Sequence, residues 1–297
     1  MTTATWVTGL GVAAPNGLGV EAYWEATKAG ESGIGTVTRF DPTSYPARLA
    51  GEIDGFVAED HLPARLLPQT DRMTRIALVA ADWALENAGV VPGELSEFDM
   101  GVITASSSGG FEFGQNELRA LWSQGGQYVS AYQSFAWFYA VNSGQISIRN
   151  GMRGPSSVVV SDQAGGLDAL AQARRQIRKG TPVILSGAVD ASICPWGWVA
   201  QLASDRLSTE EDPGRAYVPF DDGAGGHNPD QRPGDPDVLR PLRVRQPDQA
   251  HEDRHGLRGH EHTPQEAERQ EEERLRGPQA ILRQPFGLEG PRGHLAF

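Results

Sequence analysis

Ser156-Ser-Val-Val-Val-Ser161-Asp162-Gln163-Ala164-Gly165-Gly166-Leu167-Asp168-Ala169-Leu170 is the stretch on which the reading of this chain turns. Its first six residues are rich in β-branched side chains, which fit a pleated, buried surface, and they predict a strand over 156–161. Leu167, Leu170, Ala171 and Ile177 recur at helical spacing and predict a helix over about 164–178. Only a sharp turn fits between the two, and Gln163 sits on it. A strand–turn–helix elbow of this kind usually presents a nucleophile, because the turn exposes the side chain and the free N–H groups at the helix start stabilise an anion beside it. Gln163 offers an amide, which cannot attack an acyl carbon.

Outward from the elbow, short β-branched runs alternate with helical patterns. The spacing predicts strands at Thr5–Thr8, Gly101–Thr104 and Pro182–Val189, and helices at Val20–Lys28, Arg72–Asn87, Phe111–Trp122 and Ser134–Arg149. Strands separated by helices predict an α/β fold with a mostly parallel sheet covered by helices. No internal repeat is present.

The pattern breaks near Gly223. From His227 to Phe297 the chain is crowded with Arg, Gln, Glu, Pro, Gly and His, and it holds six of the seven histidines. Such a composition buries too little apolar surface to offset chain entropy, so residues 224–297 are expected to form a disordered tail. Pro264–Leu275 is the one part whose Glu, Arg and Gln content suits an exposed helix. The net charge of −12 argues against sequence-independent nucleic-acid binding. No apolar run reaches the roughly 20 residues of a membrane span, and no cleavable leader is evident, so a cytoplasmic protein with no membrane partner is expected. A single cysteine, Cys194, rules out an internal disulfide framework. Lys28 and Lys179 are the only lysines, and the Arg, Ala, Gly and Pro usage is that of a GC-rich, actinobacterial coding sequence.

Several ordered segments resemble one family. Val7-Thr-Gly-Leu-Gly-Val12, Gly33-Ile-Gly35 with Arg39-Phe-Asp41, Ser134-Phe-Ala-Trp-Phe-Tyr-Ala-Val-Asn-Ser-Gly-Gln-Ile-Ser147, Trp196-Gly-Trp198 and Ala216-Tyr-Val-Pro-Phe-Asp221 fall in the order found in β-ketoacyl synthases. The elbow resembles that family's active site, where a cysteine stands at the place of Gln163. Glutamine there is the mark of the chain-length factor, or ketosynthase β subunit, of bacterial type II aromatic polyketide synthases. The resemblance runs from about Trp6 to Asp222. It implies the thiolase-like αβαβα fold, of which residues 1–223 correspond to the first half without its last strand. After Gly225-Gly226-His227-Asn228-Pro229-Asp230 the family's next strand and second half are not recognisable, and a reading-frame change or early termination is the simplest expected cause.

The resemblance also assigns roles. Gln163 either supports decarboxylation of a malonyl thioester by hydrogen-bonding the enolate oxygen, as oxyanion donors do, or fills the space a cysteine would leave. Phe111, Gly114 and Leu118 share one helical face. That spacing alone serves core packing; by resemblance the three face a ketosynthase α partner and gate the end of its polyketide tunnel, where the small or slender Gly114 and Leu118 favour a longer product. Implied partners are the ketosynthase α subunit of a heterodimer and an acyl carrier protein, whose phosphopantetheine carries the substrates. No cofactor of the chain's own is implied, and the isolated chain is expected to lack condensing activity.

Other motifs read as structural. Cys194 has no activating base, since His61, the only histidine before the tail, shows no sign of pairing. Gly9-Leu-Gly11-Val-Ala-Ala14 imitates a dinucleotide fingerprint, yet Pro15-Asn16-Gly17 breaks the helix it requires. His251, His255, His260 and His262 could chelate a metal only on a helix, which Gly256, Gly259 and Pro264 oppose. Two competing readings remain at this level. One is an autonomous malonyl-thioester decarboxylase or β-ketoacyl synthase; the other is a product that neither folds nor pairs.

Overall fold

The computed structural model describes residues 5–204 and 207–219. The expected tail, its Pro264–Leu275 helix and its histidine cluster lie outside the described residues. Chain order runs β1 (Ala13–Ala14), β2 (Gly17–Leu18), α1 (Val20–Ala29), β3 (Ile34–Thr36), β4 (Leu49–Gly51), α2 (Arg72–Asn87) and β5 (Met100–Ala105). It continues through α3 (Phe111–Gln124), α4 (Val141–Asn150), β6 (Ser156–Val159), α5 (Gly165–Arg178), β7 (Val183–Ala188) and α6 (Pro195–Leu202).

Three parallel strands form the centre in the order β6-β5-β7, with Val102 opposite Ser156 and Leu185. All six residues of β5 are buried. Successive strand side chains point to opposite faces, and here the two faces serve two cores. Met100 and Val102 join Ile76, Leu78, Val79, Leu85 of α2 and Ile146 of α4; Ile103 and Ala105 meet Ala169 and Ala173 of α5. The result is a helix–sheet–helix sandwich.

Asp71 starts α2 by accepting the Met73 N–H at 2.7 Å, and its second oxygen accepts the N–H of Phe113 on α3 at 2.8 Å. One carboxylate thus caps one helix and fastens the first turn of another. Burial pushes the Asp71 carboxyl above its ordinary value, against the opposing pull of these two N–H groups.

The predicted helices at 20–28, 72–87, 111–122 and 164–178 form, with ends shifted by a residue or two. Two expectations are corrected. Thr5–Thr8 is not a strand; no described segment pairs with it, and Trp6 is 80% exposed. A strand needs a ladder partner, which local sequence cannot supply. The helix expected over Ser134–Arg149 begins only at Val141, after a short turn at Ala131–Ser134. The cause is tertiary: the Gly110 N–H donates to the Trp137 carbonyl at 2.9 Å, and a Cβ on Gly110 would lie 2.4 Å from the Ala136 carbonyl oxygen. That backbone contact holds residues 135–140 out of helical form.

Gly9 and Gly11 serve close packing. A Cβ on Gly9 would fall 2.3 Å from the carbonyl oxygen of Ala84, and one on Gly11 would fall 1.9 Å from that of Ala80. The segment lies on the backbone of α2, and the chain then turns back in the β1–β2 hairpin, so no helix N-terminus follows the glycines. Gly11→Ala is expected to lower stability by about 1–3 kcal/mol through overpacking. Gly35→Ala, where nothing lies within 4 Å of the added carbon, should change it by less than about 0.5 kcal/mol. Urea midpoints of the two variants measure the difference.

Candidate functional site

The loops that follow β5, β6 and β7 leave the carboxyl ends of three parallel strands, the edge at which open α/β sheets place their ligands. Asp190 ties two of them together. Its Oδ1 accepts the Ser106 hydroxyl at 2.7 Å and the Ser108 N–H at 3.0 Å, while Oδ2 accepts the Ser107 N–H at 3.0 Å. Ser107 reaches the third loop, where its Oγ accepts the Asp162 N–H at 3.0 Å. A carboxylate after β7 therefore sets the loop after β5, which in turn holds the elbow after β6.

The elbow has the geometry expected from its sequence. Asp162 has φ of 52°, the one positive φ among the described non-glycine residues, and it opens a single turn of 3₁₀ helix, Asp162–Ala164, that carries Gln163 at an exposed position. Left-handed backbone at a residue with a side chain costs of order 1 kcal/mol and persists only where surrounding contacts enforce it. The Ser107–Asp162 bond is one such contact. The Ser161 hydroxyl donates to Asp168 at 2.7 Å, bracing the turn from the α5 side. Gly165 begins α5 against β5, where an added Cβ would sit 3.0 Å from the Ala105 Cβ. Chemically, the site can donate a hydrogen bond from an amide; it has no thiol.

Cys194 is elsewhere. It is buried, and its sulfur caps α6 by accepting the Gly197 N–H at 3.4 Å. Burial raises its thiol above the ordinary value, opposite to what a nucleophile requires. His61 stacks on Phe56 at 6.0 Å and meets Trp83 edge-on at 5.6 Å, an aromatic packing role.

Phe111, Gly114 and Leu118 do lie along one face of α3, but they differ in exposure. Phe111 stacks on Trp196 of α6 at 4.9 Å, and Gly114 is buried with its missing Cβ 2.8 Å from Trp196 Cζ3. Leu118 is 37% exposed. Further solvent-facing apolar side chains occur on α3, Leu121 and Trp122, and in the segment before α4, Tyr132, Trp137 and Phe138, and exposed apolar side chains in such number mark interaction surfaces more than ordinary protein exterior. A second apolar face is that of α5, where Leu167 is 75% exposed beside Leu170. Trp196, quoted above only as a family landmark, proves to be the partner of Phe111 and Gly114, whereas Asp190 and Ser107 carried no signal in the sequence beyond the place of Asp190 just after a predicted strand. Among the described residues no cluster of His, Cys, Asp and Glu could hold a metal, and no helix is long and apolar enough to cross a membrane.

The sequence model of the β-ketoacyl synthase N-terminal domain matches residues 4–226. The chain is 62% identical over 223 residues to an actinorhodin polyketide β-ketoacyl synthase 2 of Streptomyces coelicolor, covering 75% of this chain and 55% of the relative. It is 61% identical over 224 residues to the tetracenomycin polyketide synthase ketoacyl synthase beta subunit of Streptomyces glaucescens, with the same 75% and 55% coverage. The chain thus spans about half the length of these curated relatives. The solved ishigamide ketosynthase/chain length factor superposes with a TM-score of 0.61 at 24% identity, over 69% of this chain and 51% of that one. A type II polyketide synthase acyl-carrier protein in complex with its ketosynthase superposes with a TM-score of 0.58 at 22% identity, over 68% of this chain and 55% of that one. These likenesses establish the thiolase-like fold.

Asp190→Ala is expected to release the elbow from a distance. Amide hydrogen exchange at Ser107, Ser108 and Asp162 should quicken at least tenfold, while Ile76–Leu85 of α2 keep their protection. Unchanged exchange at Asp162 would show that the turn is held without Asp190.

Proposed function

The chain belongs to the β-ketoacyl synthase family, among the ketosynthase β (chain-length factor) subunits of type II polyketide synthases, and from that premise we propose that it acts as the non-nucleophilic half of a condensing heterodimer. The observation that carries this reading is Gln163 on an intact elbow. The strained turn, the exposed side chain and the close α5 start are kept, while the one atom needed for acyl transfer, a thiol sulfur, is replaced. Carbon–carbon bond formation then occurs on the partner's cysteine, with malonyl and poly-β-ketoacyl groups delivered on the phosphopantetheine of an acyl carrier protein.

In this reading the Gln163 amide donates a hydrogen bond toward the enolate oxygen that develops as a malonyl thioester loses carbon dioxide. A neutral donor placed where charge appears lowers the barrier without taking part in covalent chemistry. The apolar surface around Leu118 and Trp122 covers the partner, and Leu118 contributes bulk at the closed end of its tunnel. Gly114 contributes indirectly, by letting Trp196 approach α3. In this reading the subunit role belongs to residues 1–223, and residues 224–297 have no part in the reaction.

Exposed apolar faces on α5 and α3 support a second outcome, in which this chain by itself aggregates rather than pairs. Co-expression with a ketosynthase α followed by size exclusion separates the two. A stoichiometric complex supports the subunit role, and recovery of this chain only in aggregates supports the second. Within such a complex, cerulenin should label the partner's cysteine and leave the Gln163 peptide unmodified by mass spectrometry; an acyl adduct on that peptide would overturn the assignment.

The tunnel role is testable in a full-length chain-length factor carrying residues 5–219 of this chain. Leu118→Phe adds a ring at an exposed position and should shorten the polyketide by at least one two-carbon unit, because a packed wall does not yield to added volume. Gly114→Thr should instead disturb Trp196 and lower stability by about 1–3 kcal/mol. Product profiling and thermal melting distinguish these outcomes, and unchanged product length with Leu118→Phe in an intact complex would make Leu118 an ordinary surface residue.

A further inference from the structure

With 3.6 residues per turn, Glu112, Phe113 and Asn116 lie on the opposite side of α3 from Phe111, Gly114 and Leu118. That side closes a cavity of about 250 Å³ together with Arg39, Asp71, Arg72 and Arg75. Three guanidinium groups meet two carboxylates here, and the pairing is uneven. Arg39 is neutralised: its Nη2 donates to both oxygens of Glu112, at 2.6 and 2.7 Å. Asp71 turns its two oxygens to the backbone N–H groups of Met73 and Phe113. Arg75 donates only to neutral oxygens, the carbonyls of Leu67 at 2.6 Å and Thr70 at 2.9 Å and the Thr70 hydroxyl at 3.3 Å. Arg72 donates to the Ile53 carbonyl at 2.8 Å and rests 5.5 Å from the centre of the Phe56 ring.

Among the described residues, neither Arg72 nor Arg75 has a carboxylate within ion-pair distance. At i and i+3 on the first turns of α2 they share a face. Both are partly buried, so water compensates their charge less well than at an open surface. Burial first, and then the neighbouring Arg39 and Arg75, lower the Arg72 pKa from its ordinary value, while Glu112 and Glu52 oppose the shift. The fork of an arginine matches tetrahedral and planar oxyanions in a way a lysine does not, and two forks on one face match a phosphate best.

We propose that this cavity binds a phosphate group, free or as a monoester, between Arg72 and Arg75. Asn116, at the exposed rim, supplies an amide donor, and Phe113 gives an apolar wall for the organic part of an ester. The volume exceeds the roughly 30 Å³ of one water by enough to admit such a group with part of its hydration shell. The site lies apart from the elbow's residues and does not depend on the proposed subunit role.

The 297-residue chain is titrated calorimetrically with sodium phosphate at pH 7, against sodium chloride at matched ionic strength. Saturable one-to-one binding of phosphate and none of chloride is expected. Arg72→Gln should weaken it at least tenfold. Because Arg72 also ties down the Ile53 carbonyl, a second variant avoids that contact: Asn116→Glu places a carboxylate at the exposed rim and should weaken binding equally while circular dichroism stays unchanged. A parallel titration with phenyl phosphate distinguishes the sources, tighter binding marking an ester site and equal or weaker binding a free-phosphate site. Absence of saturable heat, an equal response to chloride, or full retention of binding in both variants would each overturn the proposal.

Discussion

Complete burial of β5 is the constraint on which the described structure depends. A strand hidden on both faces must be largely apolar, Thr104 being the one polar side chain in β5, and must find a helix on each side. Met100 and Val102 settle on α2 and α4, and Ile103 and Ala105 settle on α5. With both faces covered and parallel neighbours on both edges, the direction of all three strands is fixed. Their carboxyl ends then emerge at one edge, and the three loops that build the elbow meet there as a consequence of packing, before any polar contact is considered.

The polar contacts refine that placement. Asp190 accepts three hydrogen bonds from the loop after β5, and Ser107 passes the constraint on to Asp162. A carboxylate accepting three hydrogen bonds is a stronger anchor than a neutral acceptor, even at an exposed position. It is therefore suited to holding one residue at φ of 52°. The retention of a strained turn around a side chain that cannot attack is informative in itself. Strain kept at an elbow without a nucleophile fits a part for the shape or the amide of Gln163, and that is why the subunit reading rests there.

Glycines and aromatics divide the rest of the labour. Gly9, Gly11 and Gly114 are sites where a backbone or a tryptophan ring occupies the volume of a missing Cβ. Around α3 the opposite holds. Aromatic side chains remain at the surface, Trp122 at 83% exposure among them, in a chain whose core is otherwise well supplied with apolar residues. Two sides of α3 thus carry different chemistry: an apolar face toward solvent around Leu118, and a polar cavity where Arg39 and Glu112 pair.

Much was determined by the sequence alone. The 3.6-residue pattern of α2, α3 and α5, the β-branched runs of β5, β6 and β7, and the elbow with its amide all follow from local chemistry, because each is long enough to show its period. The ordered motifs carried the family. What only tertiary structure decided was of three kinds. Thr5–Thr8 has a strand's composition and no ladder partner among the described residues; residues 135–140 are held out of a helix by backbone contact with Gly109 and Gly110; and Asp71, Asp190 and Arg72 find partners far away in sequence. The physical reason is common to all three. Periodicity records which face of an element is apolar, whereas strand pairing, close backbone approach and the compensation of buried charge depend on what the rest of the fold brings alongside.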